Sequence, residues 1–378
     1  MRFLVDAHHL GRRQTGNETW MRNVISSLER VAVDDDLLYA VTDFALPDRR
    51  ELLRGRVHSV SPHSATRLLV DLPKLVRKLR PDAVLSTYTV PLTACPCVLF
   101  VHDVSLEEPR ARHWLPHSTR LSHRWATRLS CRRASHVLVP SEHCRADVMR
   151  NLAVAPHEVS VAPGAPDRAL LAGLLPTPPE RASDVFTVLT VGAVLPRKNL
   201  LLLARSLRAC VDAGVPLSWR VVGPVPRHGE PIAAGIRTLL GRRVVITGYL
   251  DTPRLAAEYR RADILCFPSL FEGFGLPAVE AMAAGLPVVA SAATSLPEVV
   301  GGAGILVRPD DVTAWTVAVA RLFHDPRLRA SLRAAGLARA GDFSWDRTAR
   351  ATLDALRRAG SEAPRGHSSV CLRPLSRQ

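Results

Sequence analysis

The sequence predicts an α/β fold in which two doubly wound, Rossmann-like domains face each other across a cleft. Three observations predict it. Short apolar runs alternate with amphipathic stretches along both halves of the chain, the runs are continuously apolar, and a segment rich in proline and glycine separates the halves. Continuous apolar strands separated by helices describe parallel sheets covered on both faces. A length of 378 residues fits two domains of ordinary size.

The strands are predicted from short runs rich in apolar and β-branched residues. In the first half these are RFLVDA, LLYAVT, VHSV, AVLSTY, CVLFVHD, HVLVPS and EVSVAP. Helical patterns lie between several of them, at residues 18–30, 68–80, 116–134 and 142–150. The second half repeats the design with VFTVLTVG, LSWRVVG, VVITG, DILCFPS, PVVAS and GILV.

The same patterns predict where the domains begin and end. An N-terminal Rossmann-like domain is expected over residues 1–165 and a C-terminal one over residues 185–342. The segment 166–184 is expected to be a linker, because its prolines and glycines interrupt both helix and sheet. A helix at 343–358 is expected to pack back on the N-terminal domain, and the tail 359–378, with little periodic apolar content, to be disordered.

Composition limits the function classes. Apolar residues make up 47% of the chain and charged residues 22%, which is typical of a folded soluble enzyme and excludes a disordered chain. The seven cysteines are scattered without metal-binding spacing and no signal peptide precedes the first strand, which predicts reduced thiols in the cytoplasm. No apolar run approaches the roughly 20 residues that cross a bilayer. The formal charge of +15 favours anionic partners without selecting one.

The stretch SLFEGFGLPAVE, residues 269–280, places two glutamates around a glycine-containing turn. Pro277 suits the start of a helix, so Glu280 is expected in its first turn while Glu272 stays on the loop. The glycines leave room for backbone amides to approach a ligand, and a helix N-terminus favours negative charge. Carboxylates accept hydrogen bonds from sugar hydroxyls, so the stretch suits a polyhydroxylated anion. The alternative is two ordinary solvated glutamates.

A second stretch, VGAVLPRKN at residues 191–199, also follows a buried strand and opens a helix. It brings Arg197 and Lys198 to that junction, where a guanidinium and an ammonium beside helix amides would hold a diphosphate. It is not a Walker loop, because it has a single glycine and no Gly-Lys-Ser/Thr. The alternative is two surface cations without a ligand.

Together these stretches resemble the retaining glycosyltransferases of family 4, or glycosyl transferases group 1, which have the GT-B fold. The resemblance covers about residues 2–350 and is dense in GYLDTPRLAAEYRRADILCFPSLFEGFGLPAVEAMAAGLPVVAS and SLPEVVGGAGILVRPDD. The E-x7-E motif of that family corresponds to Glu272 and Glu280, and its basic pair to Arg197 and Lys198. The resemblance implies an enzyme, a hexosyltransferase, with a nucleotide-sugar donor bound by the C-terminal domain and an acceptor bound by the N-terminal domain.

The resemblance also implies roles for individual residues. Glu272 lies near the donor sugar, Glu280 holds the ribose hydroxyls, and Arg197 and Lys198 neutralise the leaving diphosphate. His102, in the HD pair that ends a strand, contacts the donor sugar or aligns the acceptor. The donor-binding residues implied are Gly16, Gly192, Gly248, Tyr249, Gly273, Phe274, Gly275, Leu276 and Glu280. No metal and no cofactor are expected, since the cations and helix amides stabilise the leaving group. Thr19 and Trp20 stand where related enzymes commonly have an arginine followed by a tyrosine.

The predicted function is therefore transfer of a hexose, with mannose as one candidate, to a hydroxyl in glycan, glycolipid or natural-product biosynthesis. The alternatives are a non-catalytic remnant that still binds nucleotide sugar, a nucleotide-sugar epimerase, and, in another class, a basic nucleic-acid-binding protein. The last is disfavoured because aromatic residues are only 5% of the chain and no nucleic-acid-binding motif is present.

Residues 110–133 form a segment with seven arginines and no acidic residue. Arg120, Arg124, Arg128 and Arg132 recur every four residues beside the stripe Leu121, Trp125 and Leu129. Such a basic amphipathic helix is expected to contact an anionic membrane peripherally, at the inner face of the plasma membrane, or to receive a phosphorylated lipid acceptor. The alternative is a solvated cationic face whose Leu/Trp stripe packs on the domain.

Overall fold

The computed structural model describes residues 1–11, 15–42, 53–108, 117–174 and 185–362, and the structural statements that follow refer to these residues. The chain divides into two compact units. Unit 1 contains the described residues up to Gly164 together with Trp345–Glu362, and unit 2 contains those from Ala165 to Ser344.

Unit 1 is built on a seven-stranded parallel sheet in the order β3-β2-β1-β4-β5-β6-β7. The strands are β1 (Arg2–Asp6), β2 (Asp36–Thr42), β3 (Arg56–Val60), β4 (Ala83–Thr87), β5 (Cys97–Phe100), β6 (His136–Val139) and β7 (Val159–Val161). The helices between them are α1 (Thr15–Val31), α2 (Ser64–Thr66), α3 (Leu72–Leu79), α4 (His117–Arg133) and α5 (Glu142–Leu152). A π-helical turn, Arg67–Asp71, joins α2 to α3.

Unit 2 is built on a six-stranded parallel sheet in the order β10-β9-β8-β11-β12-β13. Its strands are β8 (Phe186–Val191), β9 (Leu217–Val222), β10 (Val244–Gly248), β11 (Ile264–Phe267), β12 (Val288–Ser291) and β13 (Ile305–Val307). The helices are α6 (Arg168–Leu174), α7 (Leu200–Asp212), α8 (Glu230–Leu240), α9 (Thr252–Arg261), α10 (Leu276–Ala283), α11 (Leu296–Val300), α12 (Val312–His324) and α13 (Pro326–Ala340).

The predicted fold class, an α/β architecture with two doubly wound parallel sheets, is confirmed, and each predicted strand run forms a strand. The central strands β4, β5, β11 and β12 are buried along their whole length. Such strands are mostly apolar because helices cover both faces of the sheet, and the polar residues among them, Ser86, Thr87 and Ser291, are buried as well. The same apolar runs are what allowed these strands to be predicted from the sequence.

The last described helix, α14 (Trp345–Glu362), belongs to unit 1 and packs against α1. Its buried face includes Ala349, Leu353 and Leu356, and Arg357 binds Asp35 at 2.7 Å. The expected helix at 343–358 and tail from 359 differ from this structure, because the helix continues to Glu362. Residues 363–378 of the expected tail lie outside the described residues.

The segment expected to be a linker contains a helix. α6 occupies residues 168–174 and packs against α9, with Leu170 fully buried in the core of unit 2. The expectation that the segment would have no regular structure is wrong for these residues, because the run RALLAGL has enough apolar side chains to bury one face. Residues 175–184 lie outside the described residues. Among the described helices, none combines the length and apolar composition needed to cross a bilayer.

Candidate active site

The strand order of unit 2 reverses between β8 and β11, which are paired neighbours. In doubly wound sheets, ligands bind beyond the carboxyl ends of the strands at such a switch point. The loop after β8 contains a 3₁₀ turn, Pro196–Lys198, and the loop after β11 leads through Glu272 to α10. Both stretches that the sequence selected for chemistry therefore follow the two strands of this switch point.

Three charged side chains meet there, and we call Arg197, Lys198 and Glu272 the ion group. Lys198 Nζ lies 2.5 Å from Glu272 Oε1, and Arg197 Nη1 lies 3.3 Å from Glu272 Oε2. Arg197 Nη1 also donates to the carbonyl oxygen of Phe271 at 3.2 Å. The two loops are joined through the main chain as well, since the Leu270 N–H donates to the Arg197 carbonyl at 2.8 Å. The structure thus brings together three of the predicted catalytic residues.

The two neighbouring cations determine the protonation state of the Glu272 carboxyl group. Burial disfavours the charged form of Glu272, but the Lys198 ammonium and the Arg197 guanidinium outweigh it and hold the pKa of the carboxyl below its usual range. Glu272 is therefore ionised at neutral pH. Two cations against one carboxylate leave the group with a net positive charge. Lysine has three N–H donors and arginine five, so both can bind a further anion.

Glycine makes room for the lysine side chain. Gly192, directly after β8, has φ +143°, and a Cβ there would lie 3.2 Å from Lys198 Cε and 3.3 Å from Nζ. On its other side Lys198 Nζ lies 4.8 Å from the centre of the Phe267 ring. The side chain is only 8% exposed, so its charge sits in a narrow space between a strand end and an aromatic ring.

Gly192 belongs to a row of glycines at three neighbouring strand ends. A Cβ at Gly223, after β9, would lie 2.2 Å from the Gly192 carbonyl oxygen, and the Gly223 N–H donates to the Gly248 carbonyl at 2.9 Å. Gly248 has φ +75°, which disfavours a side chain. The next residue, Tyr249, is 47% exposed. The row makes a surface without side chains beside Lys198, and its position suits the expected contact with a nucleotide.

The second glutamate of the motif is held by a tyrosine. Tyr259 in α9 donates its hydroxyl to Glu280 Oε2 at 2.8 Å, and both side chains are buried. Burial, and then the Glu280 carboxylate, raises the pKa of Tyr259 well above its usual range, which keeps the hydroxyl a donor. α10 begins at Leu276, so Glu280 lies in its second turn and not in the first turn that the sequence predicted.

The loop between the two glutamates is fixed by a serine and a threonine. Ser295 Oγ donates to the carbonyls of Glu272 at 2.9 Å and Phe274 at 3.0 Å, and Thr294 Oγ1 accepts the Glu272 N–H at 3.0 Å. Gly275, with φ +107°, precedes α10, whose first residues include the predicted Leu276. Phe274 is buried against Phe343, with ring centres 5.4 Å apart. Gly273 lies on the same loop between Glu272 and Phe274.

His102 of unit 1 lies directly beyond β5 among aromatic rings. The ring centres of Phe100, Trp20 and Tyr88 lie 4.7, 5.0 and 5.3 Å from that of the imidazole. Burial, and then the neighbouring His9 and His8, lowers the pKa of His102 to about 3, so the ring is neutral at physiological pH. Trp20, one of the departures from the family pattern, is therefore one of the aromatic residues that pack against the His102 ring.

A polar cluster lies at the ends of β1 and β4 in unit 1. Asp6 Oδ1 lies 3.1 Å from His8 Nδ1, and Asp6 Oδ2 lies 3.3 Å from Arg67 Nε. His9 Nε2 is 3.1 Å from Thr87 Oγ1. We call these five residues the imidazole cluster. All five are at least nine-tenths buried.

The predicted donor-binding Gly16 lies in the first turn of α1, where a Cβ would meet nothing within 4 Å. It is exposed, so the space beside its backbone is open to a ligand. Residues 12–14, immediately before this helix, lie outside the described residues. The role assigned to Gly16 stays a prediction.

The basic helix α4 turns its arginines and its apolar residues in different directions. Arg124 and Arg128 bind Glu107 at 2.6 and 2.8 Å, and Arg120 Nε donates to the Leu106 carbonyl at 3.3 Å. The stripe is the exposed part: Leu121 is 44%, Trp125 62% and Leu129 52% exposed. The alternative, in which the Leu/Trp stripe packs on the domain, is therefore wrong for these residues, because Arg124 and Arg128 turn towards Glu107 instead. Residues 110–116 lie outside the described residues.

Sequence reasoning missed several residues that shape these sites. Tyr259 was an unassigned aromatic in a helical run, and its signal was only its place upstream of the glutamate motif. Gly223 directly follows a predicted strand, as Gly192 does, and that shared position was a usable signal. Asp6 is a carboxylate inside an apolar strand, which indicates a buried partner. Nothing in the local sequence pointed to Arg67, since its partner Asp6 is 61 residues away.

Two family descriptions match the chain. "Glycosyl transferases group 1" matches residues 185–325, and "Glycosyltransferase Family 4" matches residues 18–169. One match lies in the unit that contains the ion group and the other in the unit that contains His102. The chain belongs to glycosyltransferase family 4, a family of transferase enzymes with the GT-B fold, as the sequence predicted.

Individual relatives agree with this assignment. The chain is 32% identical over 281 residues to MMP alpha-(1->4)-mannosyltransferase of Mycolicibacterium hassiacum, covering 70% of this chain and 66% of that protein. It is 43% identical over 110 residues to O-antigen chain mannosyltransferase B of Escherichia coli, covering 29% of each chain. The chain thus spans less than two thirds of the length of these relatives.

A solved structure shows the same fold. HepE of Anabaena, crystallised with UDP and glucose, matches with a TM-score of 0.71 at 19% identity, over 94% of this chain and 99% of that one. At this identity the likeness shows the fold of both units and leaves the ligand a separate question.

Proposed function

We propose that this protein is a retaining glycosyltransferase that moves a hexose from a nucleotide-diphosphate sugar to an acceptor hydroxyl in glycan, glycolipid or natural-product biosynthesis. The observation that carries the proposal is the ion group: a net positive set of charges, with Lys198 and Glu272 buried and Arg197 partly exposed, at the switch point of a doubly wound sheet. Family membership supports the reaction class. The mannosyltransferase relatives support mannose as the transferred hexose.

The donor is expected to contact unit 2 at two places: its diphosphate at the ion group and its ribose at Glu280. The ion group is net positive even with Glu272 ionised, so the diphosphate is expected to bind Arg197 and Lys198 beside the carboxylate instead of replacing it. Ionised Glu272 orients the Arg197 and Lys198 side chains, and it accepts a hydrogen bond from a hydroxyl group of the donor sugar. Glu280, oriented by the Tyr259 hydroxyl, is expected to accept hydrogen bonds from the ribose hydroxyls.

Transfer then follows a front-face scheme. The bond between the anomeric carbon and the diphosphate oxygen breaks, and its electron pair leaves with the diphosphate. The acceptor oxygen forms a bond to the anomeric carbon on the same face, and its proton passes to the departing phosphate oxygen. The cations of the ion group stabilise the charge that develops on the diphosphate, which is commonly the largest catalytic contribution. The scheme needs no metal or cofactor, and this absence is part of the proposal.

A donor screen tests the proposal. GDP-mannose, UDP-glucose and UDP-N-acetylglucosamine are titrated into the full chain by calorimetry, and slow hydrolysis of each is followed by nucleotide release. We expect saturable binding of one donor, abolished by Arg197→Ala/Lys198→Ala and retained by Arg205→Ala, an exposed arginine on α7. No saturable binding of any donor would contradict the proposal.

The products separate the alternatives. Binding without hydrolysis or transfer would identify a non-catalytic remnant. A changed sugar that stays on its nucleotide would identify an epimerase. Retention on DNA or RNA that falls steeply with salt, in the absence of donor binding, would identify a nucleic-acid-binding protein.

We further propose that the protein acts in the cytoplasm and contacts an anionic membrane peripherally through α4. Exposed leucine and tryptophan side chains at a spacing of four residues form an apolar stripe suited to the interface. Leu92 and Leu69, 56% and 58% exposed, belong to the same unit, and the Leu92 N–H donates to the Leu68 carbonyl. Because Glu107 neutralises part of the arginine charge, the apolar stripe is expected to contribute more than the cations.

Vesicle sedimentation tests this contact. Vesicles with 30% phosphatidylserine are expected to sediment the wild type at low salt, and Trp125→Glu/Leu129→Glu to lose most of that binding. The matched control is Leu337→Glu, a 46%-exposed leucine on α13, which should bind as the wild type does. No wild-type binding at low salt, or equal loss in the control, would contradict the proposal.

A further inference from the structure

Unit 1 has a switch point of its own, because its strand order reverses between β1 and β4. Doubly wound sheets bind ligands at such positions. The residues that occupy it are those of the imidazole cluster, which follow or end these two strands or reach them from the π-helical turn. The proposed reaction needs an acceptor hydroxyl as well as a donor, and neither His8 nor Asp6 has a part in holding the donor.

Asp6 is the fixed point of the cluster. It is fully buried, and Arg67, 2% exposed, approaches its Oδ2 atom to 3.3 Å. The Ser86 hydroxyl donates to the same oxygen at 3.4 Å. Burial alone would favour the protonated acid, but the His8 and Arg67 contacts outweigh it and lower the pKa of Asp6. Asp6 is therefore an ionised acceptor with one oxygen directed to Arg67 and the other to His8.

The contact with Asp6 determines which nitrogen of His8 carries the proton. His8 Nδ1 lies 3.1 Å from Asp6 Oδ1, close enough for a strong charge interaction, although within the described residues neither atom meets hydrogen-bond geometry with any partner. An ionised carboxylate at that distance stabilises the Nδ1–H tautomer, which leaves the Nε2 lone pair as an acceptor. A histidine oriented in this way is suited to accept the hydrogen of a hydroxyl group.

The adjacent histidine supplies a contrast. The ring of His9 lies 4.0 Å from that of His8, and it is buried to the same degree. Its Nε2 is already engaged with Thr87 Oγ1 at 3.1 Å. His9 therefore ties the loop after β1 to the end of β4, which is a structural task.

We propose that His8 is an acceptor-binding residue, and that Asp6 and Arg67 are positioning residues that hold its Nε2 ready for a hydroxyl of the acceptor. The proposal rests on the proposed glycosyltransferase function. The charges of Asp6 and Arg67 cancel, so the cluster favours a neutral sugar or cyclitol over an anionic acceptor. His8 accepts the hydrogen of an acceptor hydroxyl other than the one that reacts, so the reacting hydroxyl keeps its proton for the departing phosphate oxygen.

Acceptor kinetics compare His8→Gln with His9→Gln. The probes are methyl α-D-mannopyranoside, methyl α-D-glucopyranoside and myo-inositol, each titrated at a saturating concentration of the donor found in the screen. Loss of one hydrogen bond to the acceptor is expected to raise its KM about tenfold in His8→Gln. The donor dissociation constant should stay unchanged, and His9→Gln should keep the wild-type KM. An unchanged KM in His8→Gln, or the same change in both variants, overturns the proposal.

A spectroscopic measurement tests the positioning residues without any acceptor. In protein labelled with ¹⁵N-histidine, the His8 ring, assigned by its loss in His8→Gln, is expected to show a protonated Nδ1 and an unprotonated Nε2 at pH 7.5. Arg67→Lys retains a positive charge but lacks the guanidinium geometry, and it is expected to reduce the Nδ1–H tautomer population. A His8 ring protonated at Nε2 in the wild type overturns the proposal.

The two proposals fail in different ways. If the glycosyltransferase proposal is wrong, the wild type binds no donor and releases no nucleotide. If only the acceptor proposal is wrong, the wild type binds and hydrolyses the donor, but His8→Gln behaves as wild type or none of the three neutral probes accepts the sugar.

Discussion

The two sheets of the protein share a plan and differ in the charge at their switch points. In unit 2 the loops bring two cations to one carboxylate, so the ion group is net positive. In unit 1 the Asp6 carboxylate and the Arg67 guanidinium cancel, and the other members of the imidazole cluster are His8, His9 and Thr87. On this difference rest the two proposals, that the switch point of unit 2 binds a diphosphate and that of unit 1 a neutral hydroxyl compound.

The contrast between the two switch points matters because charged side chains at both of them are buried. Lys198, Glu272, Asp6 and Arg67 are all less than a tenth exposed, so water screens their interactions only weakly. Surface charges elsewhere on this basic chain lack that property. The positive excess of the whole sequence is therefore a poor guide to the ligand, whereas the local sum at each switch point is a good one.

The largest expected effect comes from breaking the ion group. Arg197→Ala/Lys198→Ala should lower the transfer rate by about 10²-fold or more, because removing a single stabilising donor already costs on that order. The rate is measured by nucleotide release at saturating donor and acceptor. Alanines here leave Glu272 buried without a cation, and an unpaired buried charge costs about 3–5 kcal/mol of stability.

The control for that loss of stability is Lys198→Met/Glu272→Gln, which removes both charges together. It should unfold at a urea concentration closer to that of the wild type than Lys198→Met does, while its transfer rate stays low. If activity returned along with stability, the ion group would be structural and the contrast between the units would lose its functional meaning.

A smaller effect is expected from Tyr259→Phe, which sharpens the comparison within unit 2. The change removes the donor to Glu280 Oε2 and leaves a buried carboxylate oxygen with one partner fewer, at a cost of about 1–3 kcal/mol. Urea unfolding should show that loss, and calorimetry should show weaker donor binding. Tyr249→Phe is the matched control for the urea measurement alone, because this tyrosine is 47% exposed. Equal stability of the two variants would contradict the assigned role of Tyr259.

The smallest effect concerns pH and unit 1. The pKa of His102 falls from 6.5 to about 3 in the folded protein, so below pH 6.5 the unfolded chain takes up a proton that the folded chain refuses. Stability from this group is therefore present above pH 6.5 and is lost as the pH falls, by up to about 1.4 kcal/mol per unit. Between pH 7 and pH 5, His102→Gln should lose less stability than the wild type in urea unfolding.

The exposed His228 provides the control for that slope. His228→Gln should follow the wild type across the same pH range. A slope in His102→Gln as steep as that of the wild type would show that His102 does not titrate as a buried imidazole.

The sequence predicted the parts of the molecule that depend on local pattern. Strands covered on both faces have an apolar run as their signature, so β4 and β11 were found directly. The basic pair and the two glutamates were found because each follows such a run. The start of α10 was placed correctly at the glycine and proline, but the position of Glu280 was one turn too early.

The remainder depended on contacts between distant residues. The pairing of Arg67 with Asp6 and of Tyr259 with Glu280 arises only when the sheets form, and the local sequence does not identify which residues pair. For α4, the sequence showed the spacing of the arginines but not their direction. They turn inward because they bind Glu107, which precedes the helix and whose contact with it could not be predicted. Helix α6 was missed because proline and glycine on both sides concealed a short amphipathic run.

Hydrogen–deuterium exchange with bound nucleotide diphosphate tests the central claim most directly. Exchange of the full chain is measured alone and with saturating GDP or UDP, whichever calorimetry shows to bind. The account predicts protection concentrated in peptides that contain residues 192–199 and 269–281, and none of it in Lys198→Met/Glu272→Gln. Protection confined to other peptides, or an unchanged pattern in that variant, would contradict it.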